Sequence, residues 1–161
     1  MSAQSSVARR VQSLQRWPDW LAKPLMTLAF TRMVPFAGTA GVRFEQWDGD
    51  GVCLTLANKR KVQNHIKSPH AAAMALLAES ASGAAFAWHL PNDKLPLIKR
   101  MDIRYVRRAT GGLKVRAWVT PEQQTQLQSE ERGSIKVAIE LTDSLGEVPI
   151  EAEMEWAWVT R

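Results

Sequence analysis

Glu79 is the only charged residue in a run of small and apolar residues from Ala71 to Ala87. A carboxylate withdrawn from water resists ionisation, so its pKa rises and it becomes a better base near neutrality. Such a group can activate a water molecule or attack a carbonyl carbon itself. It can also serve as an inert ion-pair partner, and Lys67, Arg100 and Arg104 are available for that. Asn64, His65 and His70 lie upstream, and His89 follows. Three histidines without HxxH spacing, and a single cysteine, Cys53, argue against a metal site and exclude an internal disulfide. Ser80 has no base near it in sequence and reads as a core hydroxyl. Cys53, on a strand, reads as inert, and His89 at a helix end reads as solvated.

The elements that must position these residues are legible from periodicity. Residues 5–34 read as helical, broken by Pro18 and Pro24. From Gly41 the period becomes two, and Asp48-Gly-Asp-Gly51 is a hairpin turn between two short strands. After a polar loop, Ser68 is placed to cap a helix with Pro69 at its first position. That helix, residues 69–88, is apolar on every face, which marks it as buried. It stops before Pro91. Alternation then predicts strands over Leu97–Val106, Leu113–Val119, Ser134–Thr142 and Val148–Val159, with a helical turn or loop over Pro121–Gln128. Gly111-Gly112 reads as a hairpin turn, and Trp156 and Trp158 as core. Strands with one apolar face need a cover, and the apolar helix is the only element able to fill that role. The expectation is an α+β fold: an antiparallel β-sheet of about six strands wrapped around a long central helix, with an N-terminal helical segment.

The 161 residues suit one domain. The longest unbroken apolar run, Ala71–Ala78, is too short to span a bilayer. With no secretory signal and no disulfide, the expected compartment is the cytoplasm. The net charge of +5 is uneven: residues 1–118 carry 18 Lys and Arg against 7 Asp and Glu, and residues 119–161 carry 3 against 9. Internal pairing explains that asymmetry without nucleic acid, which is not an expected partner. The N-terminal segment, with Arg9, Arg10, Arg16, Trp17 and Trp20, has features of a membrane-surface helix. Packing over the domain is favoured.

Asn64, His70 six residues on and Glu79 nine further resemble the Asn–His–acid arrangement of phenylacetate-type (PaaI-like) thioesterases of the hotdog superfamily. Asn64-His65, His70-Ala-Ala-Ala, Ala78-Glu79, Lys99-Arg-Met-Asp-Ile-Arg-Tyr105 and Ala109-Thr-Gly111 are similar to a bacterial hotdog branch known mainly as a domain of unknown function. The resemblance spans about residues 40–160. It implies a hotdog domain over residues 39–161 behind an N-terminal extension over residues 1–38. It also implies an acyl-CoA thioesterase with no cofactor beyond the coenzyme A of its substrate. The relatives' His-Gly-Gly is here His70-Ala71-Ala72, their strand hydroxyl is replaced by Ile98, and the acid is Glu.

Helix geometry constrains such a site. Nine residues separate His70 from Glu79 by roughly 13 Å along the axis and turn them to opposite sides. One helix cannot bring them together. Two such helices, antiparallel in a C2 dimer, can, and hotdog dimers resemble that arrangement; a tetramer is compatible with it. The expected roles follow. Glu79 is base or nucleophile, Asn64 and His70 position the carbonyl or the water, and the backbone N–H groups of Ala71 and Ala72 stabilise the oxyanion. His65 and the basic residues Lys59, Arg60, Lys61, Arg107 and Arg108 are candidates for binding the substrate, the basic ones through the coenzyme A phosphates. Arg100 and Arg104 are instead expected beside Glu151, Glu153 and Glu155 on the last strand. The alternative function is a non-catalytic acyl-CoA or lipid-binding hotdog protein; an acyl dehydratase ranks lower.

Overall fold

The computed structural model describes residues 5–160; residues 1–4, where the expected extension begins, and residue 161 lie outside the described residues. Three helices come first: α1 (Ser6–Leu14), α2 (Asp19–Met33) and α3 (Pro35–Ala40). A hairpin follows, β1 (Arg43–Asp48) and β2 (Gly51–Leu56), then a 3-10 turn at Arg60–Val62 and the long helix α4 (Ala71–His89). The remainder is β3 (Lys94–Tyr105), β4 (Leu113–Trp118), α5 (Pro121–Ser129), β5 (Gly133–Asp143) and β6 (Ile150–Thr160). All neighbours in the sheet are antiparallel, in the order β1-β2-β4-β5-β6-β3. This is the expected hotdog arrangement. The first half of β5 pairs with β6 and its second half with β4. That stagger lets one sheet curl around α4.

The core lies between the sheet and α4, with Leu77, Phe86, Val115, Leu141, Met154 and Trp158 fully enclosed. Three tryptophans reach α4 or α5 while satisfying their indole N–H groups. Trp47 donates to the Ala84 carbonyl, Trp156 to Ser82 Oγ and Trp158 to the Glu130 carbonyl. Gly83 lets Trp156 lie against the helix, since a Cβ there would come within 2.7 Å of the ring. Gly83→Ala is therefore expected to destabilise the fold by about 1–3 kcal/mol through overpacking, although Ala is favoured over Gly in a helix by about 1 kcal/mol. Urea unfolding of the two proteins measures the difference.

Several expectations need correcting. Pro24 does not break the N-terminal helix: it sits inside α2. It deprives only the Trp20 carbonyl of its N–H partner, and Trp20 is exposed to water. The cap of α4 is His70 rather than Ser68, and the helix starts at Ala71. Ser68 is recruited elsewhere, donating to the Ala109 carbonyl and accepting from Arg108 Nε, while Pro69 bridges to Gln63. Residues 121–129 form a full helix with a Thr120–Gln123 capping box. Gly111-Gly112 is not a hairpin turn, because β3 and β4 are not neighbours; it lies in a crossover between them. A bulge between Phe44 and Gln46 shifts the β1 register and turns Trp47 into the core where simple alternation would put Gln46.

The N-terminal helices pack over the domain. Ala8, Val11, Met26 and Phe30 belong to the same apolar cluster as the sheet and α4. Ser5 caps α1 and ties it down, accepting from Ala8 N–H and donating to the Trp88 carbonyl at 2.7 Å. Helix α4 is long and apolar enough to cross a membrane by length and composition, but most of it is buried against the sheet.

Candidate active site

Glu79 is half-buried in the middle of α4. None of Lys67, Arg100 and Arg104 pairs with it. Arg100 bonds Asp102, and Arg104 bonds Glu151 across the β3–β6 pair. Lys99 and Lys136 take Glu155 and Glu153. Two of these pairs, Lys99–Glu155 and Arg104–Glu151, join the basic first part of the chain to its acidic end across β3 and β6. Burial pushes the Glu79 carboxyl above its ordinary value, opposed by a weaker interaction with Ser80. The Ser80 hydroxyl is itself buried and has no hydrogen-bond partner of regular geometry.

Glu79 and Ser80 line a cavity of about 170 Å³. The N-terminal helices supply Val7, Phe30 and Met33 to its wall, and the domain supplies Trp47, Ala84 and Trp156. An unpaired carboxylate with a raised pKa at the rim of an apolar hollow is the arrangement expected of a general base.

The other candidates gather at the start of α4, away from Glu79. His70 Nδ1 accepts from the Ala72 N–H at 3.0 Å. This occupies one of the two backbone donors expected for an oxyanion. Among the described residues nothing accepts from the Ala71 N–H, which stays available at the positive end of the helix. Tyr105 fixes that end by donating to the Ala71 carbonyl at 2.9 Å. Asn64 Oδ1 accepts from Ile66 and Ser68 N–H, shaping the loop. Its Nδ2 has no partner among the described residues and remains a free donor. His65 is exposed. His70 and Ala72 line a separate cavity of about 180 Å³ with Phe36, Val62 and Leu76. One chain therefore holds the acid in one hollow and the donors by another.

The basic residues divide. Lys59 and Arg60 are exposed. Lys61 donates to the Thr39 carbonyl, and Arg108 to Ser68 Oγ and the Ile66 carbonyl. Arg107 lies 3.5 Å from both Asp143 and Glu147. Asp143 lies close to the surface, yet its side chain is fully covered. Burial opposes its charge, but N–H donors from Thr110, Leu145 and Glu147 and the Arg107 guanidinium outweigh that and hold its pKa low. Three of the five basic candidates thus have duties inside the fold. Burial lowers the pKa of His89, which is half-buried rather than solvated. Burial raises that of the Cys53 thiol, in line with an inert residue. Sequence reasoning missed Lys94, which is buried and donates to the Leu127 and Glu130 carbonyls at the end of α5. Its only sequence signal was a lysine at a strand start. It also missed the contribution of Phe30 and Met33 to the Glu79 hollow.

Residues 22–159 match the family described as a domain of unknown function (DUF4442). No curated protein matches the chain. Among solved structures, a protein of unknown function from Pseudomonas aeruginosa, named a probable thioesterase, is 27% identical with a TM-score of 0.78, over 86% of this chain and 95% of its own. A thioesterase from Haemophilus influenzae is 12% identical with a TM-score of 0.62, over 78% of this chain and 82% of its own. A mutant of a thioesterase enzyme from Staphylococcus aureus is 14% identical with a TM-score of 0.63, over 78% and 98%. The last two likenesses concern the fold alone.

Proposed function

Since the chain belongs to the family described as a domain of unknown function (DUF4442), we propose that it is a thioesterase that hydrolyses acyl-CoA or a related acyl thioester across a homodimer interface. The observation that carries this reading is Glu79, an unpaired carboxylate of raised pKa at an apolar hollow. The acid takes a proton from water, and the resulting hydroxide attacks the thioester carbonyl carbon. The oxyanion is held by the Ala71 N–H and Asn64 Nδ2 of the other subunit. Collapse breaks the C–S bond, the thiolate leaves and takes up a proton, and the carboxylic acid remains. Attack by Glu79 itself, through an anhydride that water then opens, uses the same geometry.

Two features support the dimer. The inward side of β3 has no cover of its own: Ile98, Met101 and Tyr105 stand opposite Trp156, Met154 and Ile150, yet are 40%, 49% and 47% exposed. Beside them the start of α4 presents Ala71 and Ala72, also exposed. An apolar strand face and an apolar helix face left open together suit an isologous contact with a second copy. Exposed Lys59 and Arg60 are the basic candidates left free to meet the coenzyme A phosphates.

Incubating the full chain with acyl-CoA substrates and following free thiol tests the reading, and release above the uncatalysed rate is the expected result. Saturable binding without release would favour the non-catalytic acyl-CoA-binding reading. That reading has its own support in the capture of the Ala72 N–H by His70.

A further inference from the structure

The hollow beside Glu79 has properties that a catalytic acid alone does not explain. It extends inward from the carboxylate to side chains that are nearly inaccessible: Phe30 is 5% exposed, Trp47 2%, Ala84 2% and Trp156 7%. Its rim carries Met33, which is 58% exposed, and Pro96 of β3. Apart from Glu79 and Ser80 the lining is apolar. The inner wall at Phe30 belongs to α2. Helix α2 is anchored to β1, through Thr27 Oγ1 accepting from Phe44 N–H, and its Phe30 forms part of the wall of the hollow.

We propose that this hollow receives the acyl group, that Phe30 of α2 sets where it ends, and that the protein selects acyl groups of about six carbons. The inference rests on the thioesterase reading and names its substrate class. The size argument is direct: an apolar cavity of about 150 Å³ accommodates benzene, a six-carbon molecule, and this one holds about 170 Å³. A longer chain meets Phe30 and Trp47, which are packed edge-on at 5.9 Å between centroids and backed by Phe44. It could enter only by displacing them.

The test is a series of straight-chain acyl-CoA substrates from acetyl to palmitoyl on the full chain. From acetyl to hexanoyl, kcat/KM is expected to rise about threefold to fourfold per methylene as apolar surface is buried, then to fall for longer chains. Phe30→Leu, which deepens the hollow, should move the optimum to longer chains. Ala87→Leu, which narrows it from the half-buried Ala87 position on α4 and keeps a good helix former, should move the optimum to shorter ones. Thermal melts confirm that each variant is folded. Hydrolysis with a flat profile, a long-chain optimum, or an optimum that neither variant moves would overturn the pocket assignment and leave the thioesterase reading standing. Absence of hydrolysis at every length would overturn that reading instead. The pocket is then decided by binding of thioether analogues of the same acyl-CoAs: a six-carbon maximum in thermal stabilisation, shifted by the two variants, sustains it, and no length dependence refutes it.

Discussion

Glu79→Gln is expected to lower acyl-CoA hydrolysis by about 10²- to 10⁴-fold, the range for loss of a positioned general base, while making the folded protein more stable at neutral pH. The two effects have one cause. Burial raises the Glu79 pKa above its unfolded value, so over the interval between the two values the folded state binds more protons than the unfolded one. Stability then falls as pH rises through that interval, and above it the cost of the buried charge is fully present. Gln has no charge to bury. The thermal midpoints of the two proteins should converge below the ordinary carboxylate range and separate above it, with the variant higher. Wild-type kcat/KM should rise with pH about a midpoint above that range. A variant that stayed fully active would remove Glu79 from the mechanism. A variant less stable than wild type at pH 8 would mean that the carboxylate has a partner in the native protein. The pairing of both readouts separates a catalytic acid from a structural one, because a structural ion pair predicts the opposite sign for stability.

What the sequence disclosed and what it hid follow from range. Strand β4 was legible because its alternation is uninterrupted and its two faces meet different media, Leu113, Val115 and Ala117 inside and Lys114, Arg116 and Trp118 outside. Helix α4 was legible because only a buried helix tolerates so few polar residues. The pairing of β3 with β6 was implied by the resemblance to the hotdog strand order, and Arg104 meets Glu151 as that pairing requires. Features decided by distant partners were not legible. Ser68 looked like a helix cap until Ala109 and Arg108, about 40 residues away, claimed its hydroxyl. Strand β3 reads as half-buried, yet Ile98, Met101 and Tyr105 on its inner side are largely exposed, which alternation alone does not disclose. The identity of Glu79 as the singular acid was visible in sequence. The hollow it faces was not, since its walls come from α1, α2, α4 and three strands. The free donor on Asn64 could have been anticipated only by knowing that its Oδ1 is already spent on its own loop.

Mixing two inactive variants should restore about a quarter of wild-type activity, the second large effect. Glu79→Gln removes the acid. Asn64→Asp keeps the Oδ1 acceptor that Ile66 and Ser68 N–H require but replaces the free Nδ2 donor with an oxygen, at an expected cost of about 10²- to 10³-fold. Each variant alone is nearly inactive. If the acid of one subunit works with the donors of the other, every mixed dimer contains one site with both lesions and one site with neither. Random reassociation makes half of the dimers mixed, and half of their sites are intact, hence about a quarter in a C2 assembly. A site contained within a single chain gives no recovery at any ratio, since each chain carries one lesion. The geometry of α4 makes the first outcome the expected one. Glu79 and His70 lie roughly 13 Å apart along the same rod and face different ways, and they open into different hollows. Activity that stayed at background after subunit exchange, with mixed dimers demonstrated by mass, would sink the shared site while leaving the fold untouched. Recovery near one quarter would mean that the acid of one α4 works beside the donors at the start of another.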